Sequence, residues 1–179
     1  VLKRLRETTN QPIVMKKNLY LVGPAEVELL YELEKRYHII TNEDRNNLEF
    51  FSKEKNFANQ FDVILITELP IKSLVNLALG TYQDIDEQVI LVSLLSSKQV
   101  TVISEGLVHR RYRQSSAKAL YQKLLEYEEK LKNYGVQIID KQHFTLSILE
   151  KNHELFAEIR KTGTKSSEFT LDCENNTVD

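Results

Sequence analysis

The run Asp62-Val63-Ile64-Leu65-Ile66 constrains the fold of this chain more than any other stretch. Four consecutive apolar, mostly β-branched residues with no polar alternation describe a strand covered on both faces. Such strands belong to parallel sheets, whose crossover helices lie on the two faces. The run ends in Thr67-Glu68-Leu69-Pro70, an elbow after which the pattern changes to that of a helix.

The same alternation recurs along the chain. Residues 18–23 (NLYLVG) read as a buried strand ending at Gly23, and Pro24 stands near the first turn of a helix over PAEVELLYELEKRY. Leu29, Leu33 and Tyr37 recur at helical spacing on that segment, with Leu30 widening the face. His38 to Thr41 is a second short strand. Residues 42–61 are polar around Phe50, Phe51 and Phe57 and read as a helix followed by a loop. Helices are expected over about 70–79 and 84–96, separated by Gly80, with strands at 98–103 and 136–139. Ser115 and Ser116 are placed to cap a long helix carrying Ala117, Leu120, Tyr121, Leu124, Tyr127, Leu131 and Tyr134, which Gly135 stops. Glu126/Lys130 and Glu128/Lys132 are expected as ion pairs on its exposed side. A last helix is expected over about 144–160, with Ile148, Leu149, Phe156 and Ile159 on one stripe.

Strands alternating with helices make this a doubly wound, mostly parallel α/β sheet of about five strands, flavodoxin- or Rossmann-like, in three layers. Residues 1–16 form an N-terminal helix and linker, 17–162 the α/β domain and 163–179 a polar tail. A chain of 179 residues with 41% apolar and 28% charged residues can bury one such core. The net charge of −2 argues against nucleic acid as a partner, and no apolar run is long enough to span a membrane. Cys173 stands alone, so neither a disulfide nor a cysteine-based zinc site is expected, and the setting expected is the cytoplasm. His38, His143 and His153 lack ligand spacing, so no metal is expected. The chain begins at Val1 rather than Met, as a trimmed piece would.

In open α/β sheets the ligand sits beyond the carboxyl ends of the strands. Those ends are Gly23-Pro24, Thr41-Asn42 and Leu69 to Leu74. Lys72 and Ser73 fall in the first turn of the helix after Pro70, where a cation opposes the helix dipole unless an anion is bound. The alternative is a lysine in solvent and a serine that helps to cap. Neither GxGxxG nor GxxxxGK[ST] is present. The run His109-Arg110-Arg111-Tyr112-Arg113 offers either an anion grip through Arg110, Arg111 and Arg113, or a solvated loop or salt bridges to a neighbouring subunit. His109 has no nameable partner and reads as an ordinary loop histidine. Asp84, Asp86 and Glu87 lie where a helix N-cap belongs. The tyrosines at 112, 121, 127 and 134 read as packing residues.

LPIKSLVNLALGTYQDIDEQVILVSLLSSKQVTVISEGLVHRRYR, with ALYQKLLEYEEKLKNYGVQII, resembles flavoprotein-like proteins encoded with bacterial ethanolamine-utilisation and related microcompartment genes. These are similar in turn to the homo-oligomeric flavin-containing cysteine decarboxylases. The resemblance covers roughly residues 18–140. In that superfamily a P-x-S-A-N-T segment follows the third strand; Ser73 stands at its threonine and Gly80 at the glycine of the turn beyond. The resemblance implies a flavodoxin-like fold, self-association and FMN or another phosphate-bearing ligand at Gly23, Pro24, Thr41, Lys72, Ser73 and Leu74. It also implies an accessory role within or on a bacterial microcompartment. Val1, Leu2 and Leu5 on a short basic segment before Pro12 suit a helix that docks on a shell or enzyme partner.

The departures bear on chemistry. Lys72 replaces the substrate-positioning asparagine, and an ammonium accepts no hydrogen bond. The 42–61 region has no histidine, the sole methionine is Met15, and Gly23-Pro24-Ala25 replaces a Gly-Ser pair. A flavin-dependent decarboxylase therefore ranks third, behind an accessory ligand-binding protein and an assembly protein that keeps the fold without the ligand.

Overall fold

The structure, a computed structural model, describes residues 16–44 and 60–147. Five parallel strands form one sheet: β1 (Lys17–Val22), β2 (Tyr37–Thr41), β3 (Val63–Ile66), β4 (Gln99–Ile103) and β5 (Gln137–Ile139). Their order is β2-β1-β3-β4-β5. The connecting helices are α1 (Val27–Glu34), α2 (Ile71–Ala78), α3 (Ile85–Leu95) and α4 (Lys118–Asn133). The chain forms two units, Val1–Lys141 and Gln142–Asp179. Of the second, residues 142–147 are described and are helical.

The register explains the core. Tyr20 pairs with Ile64 and Ile64 with Val100; one pleat further on, Val22, Ile66 and Val102 align in the same way. With side chains alternating between faces, these six point to one side. There they join Leu74, Leu77, Ala78, Val89, Ile90, Leu124 and Leu131 of α2, α3 and α4 in one buried cluster. Leu19, Leu21, Leu65 and Ile103 occupy the opposite face and are also buried. The β1-α1-β2 crossover runs against the direction of those after β3, so right-handed connections place α1 on this second face. Leu29 and Leu33 of α1 are buried there, outside the first cluster. Covering both faces is what the unbroken VILI run requires.

Helix ends explain the boundaries. At the end of α4, Gly135 has φ +101°, its N–H bonds Lys132 O and Val136 N–H bonds Leu131 O. This pair of bonds with an αL residue is a Schellman stop, sealed by the buried Leu131 and Val136. The same pairing closes α2 at Gly80 and Thr81, and α3 at Ser97 and Lys98.

Four expectations need correction. Ser115 and Ser116 do not cap α4: both amides bond Tyr112 O in a turn, and Ala117 is the N-cap, with no side-chain cap. Pro24 precedes α1 by three residues, because Val27 opens it. Tyr37 belongs to β2, not to the α1 stripe. Glu128 is buried rather than exposed. The expectations for residues 1–15, for Phe50, Phe51 and Phe57, for Ile148 to Ile159 and for the polar tail lie outside the described residues.

Candidate functional site

From β1 the chain passes to β2 on one side and then to β3 on the other, so the connections after β1 and β3 diverge and leave a crevice. Its floor is set by backbone contacts. Thr67 N–H and the Thr67 hydroxyl both donate to Val22 O, at 2.9 and 3.0 Å. Gly23 follows with φ +90°, and a Cβ there would stand 2.9 Å from Glu68 N and from Thr67 Oγ1. Only glycine allows the two strand ends to come this close.

The crevice has two adjoining parts that share Gly23, Pro24 and Asp86. The larger, about 510 Å³, lies over Leu21, Ala25, Leu30, Thr41, Asn42 and Glu43. The smaller, about 270 Å³, lies between Val22, Leu69, Ile90 and the polar residues Glu68, Ser73, Asp84 and Glu87. A separate hollow of about 340 Å³ beyond Pro24 is lined by Thr67, Glu68, Glu105 and Arg111, among others.

Helix α2 starts at this crevice. Its N-cap is Pro70, which supplies no side-chain cap, and the first intrahelical bond runs from Leu74 N–H to Pro70 O. The amides of Ile71, Lys72 and Ser73 precede that bond and belong to the orphan donors of a helix start. By contrast α3 has a side-chain cap. Asp84 Oδ1 accepts from Glu87 N–H at 3.0 Å, and Asp86 and Glu87 add negative charge to the first turn.

The acidic side chains are tied to their surroundings. Asp86 accepts from the Tyr20 hydroxyl at 2.7 Å and from Asn42 Nδ2 at 3.3 Å, joining the ends of β1 and β2 to α3. Glu87 is buried, and its Oε2 accepts from Gln83 N–H at 2.7 Å and Asn76 Nδ2 at 2.9 Å. Lys72, with 54% of its side chain exposed, donates to Asp84 Oδ2 at 3.1 Å and stands 3.9 Å from Glu87 Oε1.

The sequence-derived positions therefore divide. Gly23, Pro24 and Thr41 line the larger part and Ser73 the smaller. Lys72 sits beside them in an ion pair. The Leu74 side chain is in the core. Arg110 lies elsewhere, as a fork on Glu128: Nε to Oε2 at 3.1 Å and Nη2 to Oε1 at 2.6 Å. Arg111 reaches Glu68 at 3.5 Å, and Arg113 is exposed.

His109 is not an ordinary loop histidine. It is buried, with Nε2 2.9 Å from Glu128 Oε2. A carboxylate only accepts, so Nε2 carries the proton. Nδ1 is then a buried acceptor with no hydrogen-bond partner. Burial holds the imidazole pKa below its ordinary value, and Glu128 offsets that only in part. For Glu128, burial acts upward, but the Arg110 hydrogen bonds and charge, with Lys132 and His109, hold its pKa down.

Sequence reasoning missed Asp86 and Glu87 as walls of the crevice. The signal was the D-x-D-E spacing, which caps a helix and, when that helix starts at a strand-end crevice, also supplies its carboxylates. Among the described residues no cluster of His, Cys, Asp and Glu is arranged to hold a metal ion, and no helix is long and apolar enough to cross a membrane. A scan of protein-family models, a search of curated proteins and a search of solved structures each return no match.

Proposed function

We propose that this chain binds a phosphate-bearing ligand, with FMN the first candidate, in the crevice where the strand order reverses. The observation that carries the reading is the start of α2: three leading amides without a side-chain cap, with Lys72 and Ser73 in the same turn, at the mouth of a two-part crevice. Phosphate is the group that such a helix start accommodates. The apolar patch of Leu21, Pro24, Ala25 and Leu30 suits a flat ring, and the carboxylates of Glu43 and Asp86 suit ligand hydroxyls. Lys72 is exposed enough to leave Asp84 for the phosphate.

The biological setting rests on the resemblance alone: an accessory, self-associating protein of an ethanolamine-type microcompartment. Exposed Val27 and Tyr31 on α1 and Leu95 at the end of α3 supply apolar area for self-association. A second reading, an assembly protein without ligand, gains from Arg110, whose fork is spent on Glu128 rather than held open for an anion. A decarboxylase ranks third, because Lys72 stands in the place of the asparagine.

The test is the visible absorbance of the purified protein after FMN is added and the excess removed. Flavin retained in equimolar amount, and lost in Lys72→Glu, supports the first reading. A colourless protein favours the second. FMN held equally well by Lys72→Glu would move the site elsewhere.

A further inference from the structure

We propose that the smaller part of the crevice, about 270 Å³, is a subsite for a small primary ammonium compound, held by Glu87 Oε1 and Asp84 Oδ2. The inference rests on the crevice being a ligand site, but not on the ligand carrying a phosphate.

Glu87 is 1% exposed and lines the pocket, yet only one of its two oxygens accepts a hydrogen bond. Oε2 takes the bonds from Gln83 and Asn76 that tie down the loop before α3. Oε1 is buried and accepts no hydrogen bond. Its nearest cation, Lys72 Nζ, is 3.9 Å away, beyond hydrogen-bond distance. A buried carboxylate oxygen left in this state gains from any donor placed against it.

Asp84 stands beside it. Its Oδ1 caps α3, while Oδ2 accepts from the half-exposed Lys72 ammonium at 3.1 Å. Each of the two carboxylates therefore has one oxygen fixed by amide donors and a second, Glu87 Oε1 or Asp84 Oδ2, whose only neighbouring donor is the Lys72 ammonium. A guanidinium makes its forked, bidentate contact with both oxygens of one carboxylate, which neither residue can offer. No group of three or more His, Cys, Asp and Glu side chains is arranged to hold a metal ion among the described residues. An ammonium is a point charge with three donors, enough for the two carboxylate oxygens and the Ser73 hydroxyl. Val22, Leu69 and Ile90 form an apolar wall for its alkyl chain. Lys72 is the resident version of such a group, and its ammonium already stands between the two oxygens. A ligand ammonium replaces it there and releases Lys72 toward an anion at the start of α2. Ammonium and phosphate consequently favour each other's binding, and the coupling is reciprocal.

The experiment is a titration of the ¹⁵N-labelled full chain with n-butylammonium chloride at constant ionic strength, followed by backbone amide shifts. n-Butanol is the uncharged control, and inorganic phosphate is titrated separately. Butylammonium is expected to shift the amides of Ser73, Gln83, Asp84 and Glu87, and butanol to leave them in place. Glu87→Gln keeps the acceptor for Gln83 and Asn76 and should weaken binding about tenfold or more. Asp84→Asn keeps the cap and should weaken it similarly, which serves if Glu87→Gln does not fold. Lys72→Met removes the resident competitor and should tighten binding. The proposal is overturned if butylammonium shifts none of these amides, if butanol matches it, or if the folded carboxylate variants bind like the parent. Phosphate shifts at Ile71 to Ser73 without a butylammonium response would leave the phosphate reading standing and remove this one; the reverse result would do the opposite.

Discussion

Gly106 is the most tightly crowded of the four glycines among the described residues. A Cβ at this position would stand 1.9 Å from Thr67 O and 2.6 Å from Thr67 C, both immovable backbone atoms. The crossing exists because Leu69 N–H bonds Gly106 O at 2.9 Å and Leu69 bridges Leu107, which carries β3 past its last regular residue and fixes the elbow before Pro70. Gly106→Ala is expected to destabilise the fold by about 3 kcal/mol, read as a lower urea midpoint at an unchanged slope. His109 makes a second prediction at this scale. Protonation would place a hydrogen on buried Nδ1 with no acceptor, so the folded state resists it. The folded pKa is depressed and the unfolded one is about 6.5, so the unfolded chain takes up the proton first. Stability should fall as the pH drops from about 7 to about 5.5, and His109→Gln should flatten that interval. The further loss below about 4.5, as Glu128 and other carboxylates protonate, should persist in the variant. An unchanged slope between pH 5.5 and 7 in His109→Gln, within about 0.3 kcal/mol, would assign the titration to another group. Neither residue's role was legible in the sequence. Glu128 is 19 positions from His109 and on a different element, and Thr67 is 39 from Gly106, so no local pattern joins them.

At the scale of elements, the sequence was most readable where one local force dominates. Apolar runs placed the five strands to within a residue or so, most plainly β3, where a strand buried on both faces has no alternative pattern to follow. Asp84 was read as a cap and is one, since its side chain needs only its own helix to act. The start of α4 was misread because a serine before a helix is a cap only if the chain enters at the right angle. Here the turn from Tyr112 takes the Ser115 and Ser116 amides, and the Ser116 hydroxyl ends buried without a partner. The end of α3 yields the prediction for this scale. Ser97 holds φ +54° in the Schellman position that glycine fills after α2 and α4. A Cβ in that region costs about 1–2 kcal/mol, so Ser97→Gly should raise stability by about 1 kcal/mol in thermal or urea unfolding. No gain, or a loss, would mean that the exposed Ser97 side chain contributes more than its backbone strain takes away.

For the molecule as a whole, strand order decides where a ligand can sit. Order β2-β1-β3-β4-β5 puts the reversal between β1 and β3, and three of the loops named from sequence converge there. The position of this crevice was therefore readable from the alternation of strands and helices. Its charge was not. From the sequence Lys72 read either as a cation opposite a bound anion or as a lysine in solvent, whereas folding brings Asp84 and Glu87 from the next helix to meet it. A phosphate at α2 must draw Lys72 away from those carboxylates, so the grip on phosphate is the decisive quantity. The measurement that addresses it most directly is a paired equilibrium titration of FMN and riboflavin, which differ only in the phosphate. FMN is expected to bind at least about tenfold more tightly, with the difference shrinking as salt is added. Equal affinities, or no binding of either, would contradict the assignment of a phosphate site to the start of α2.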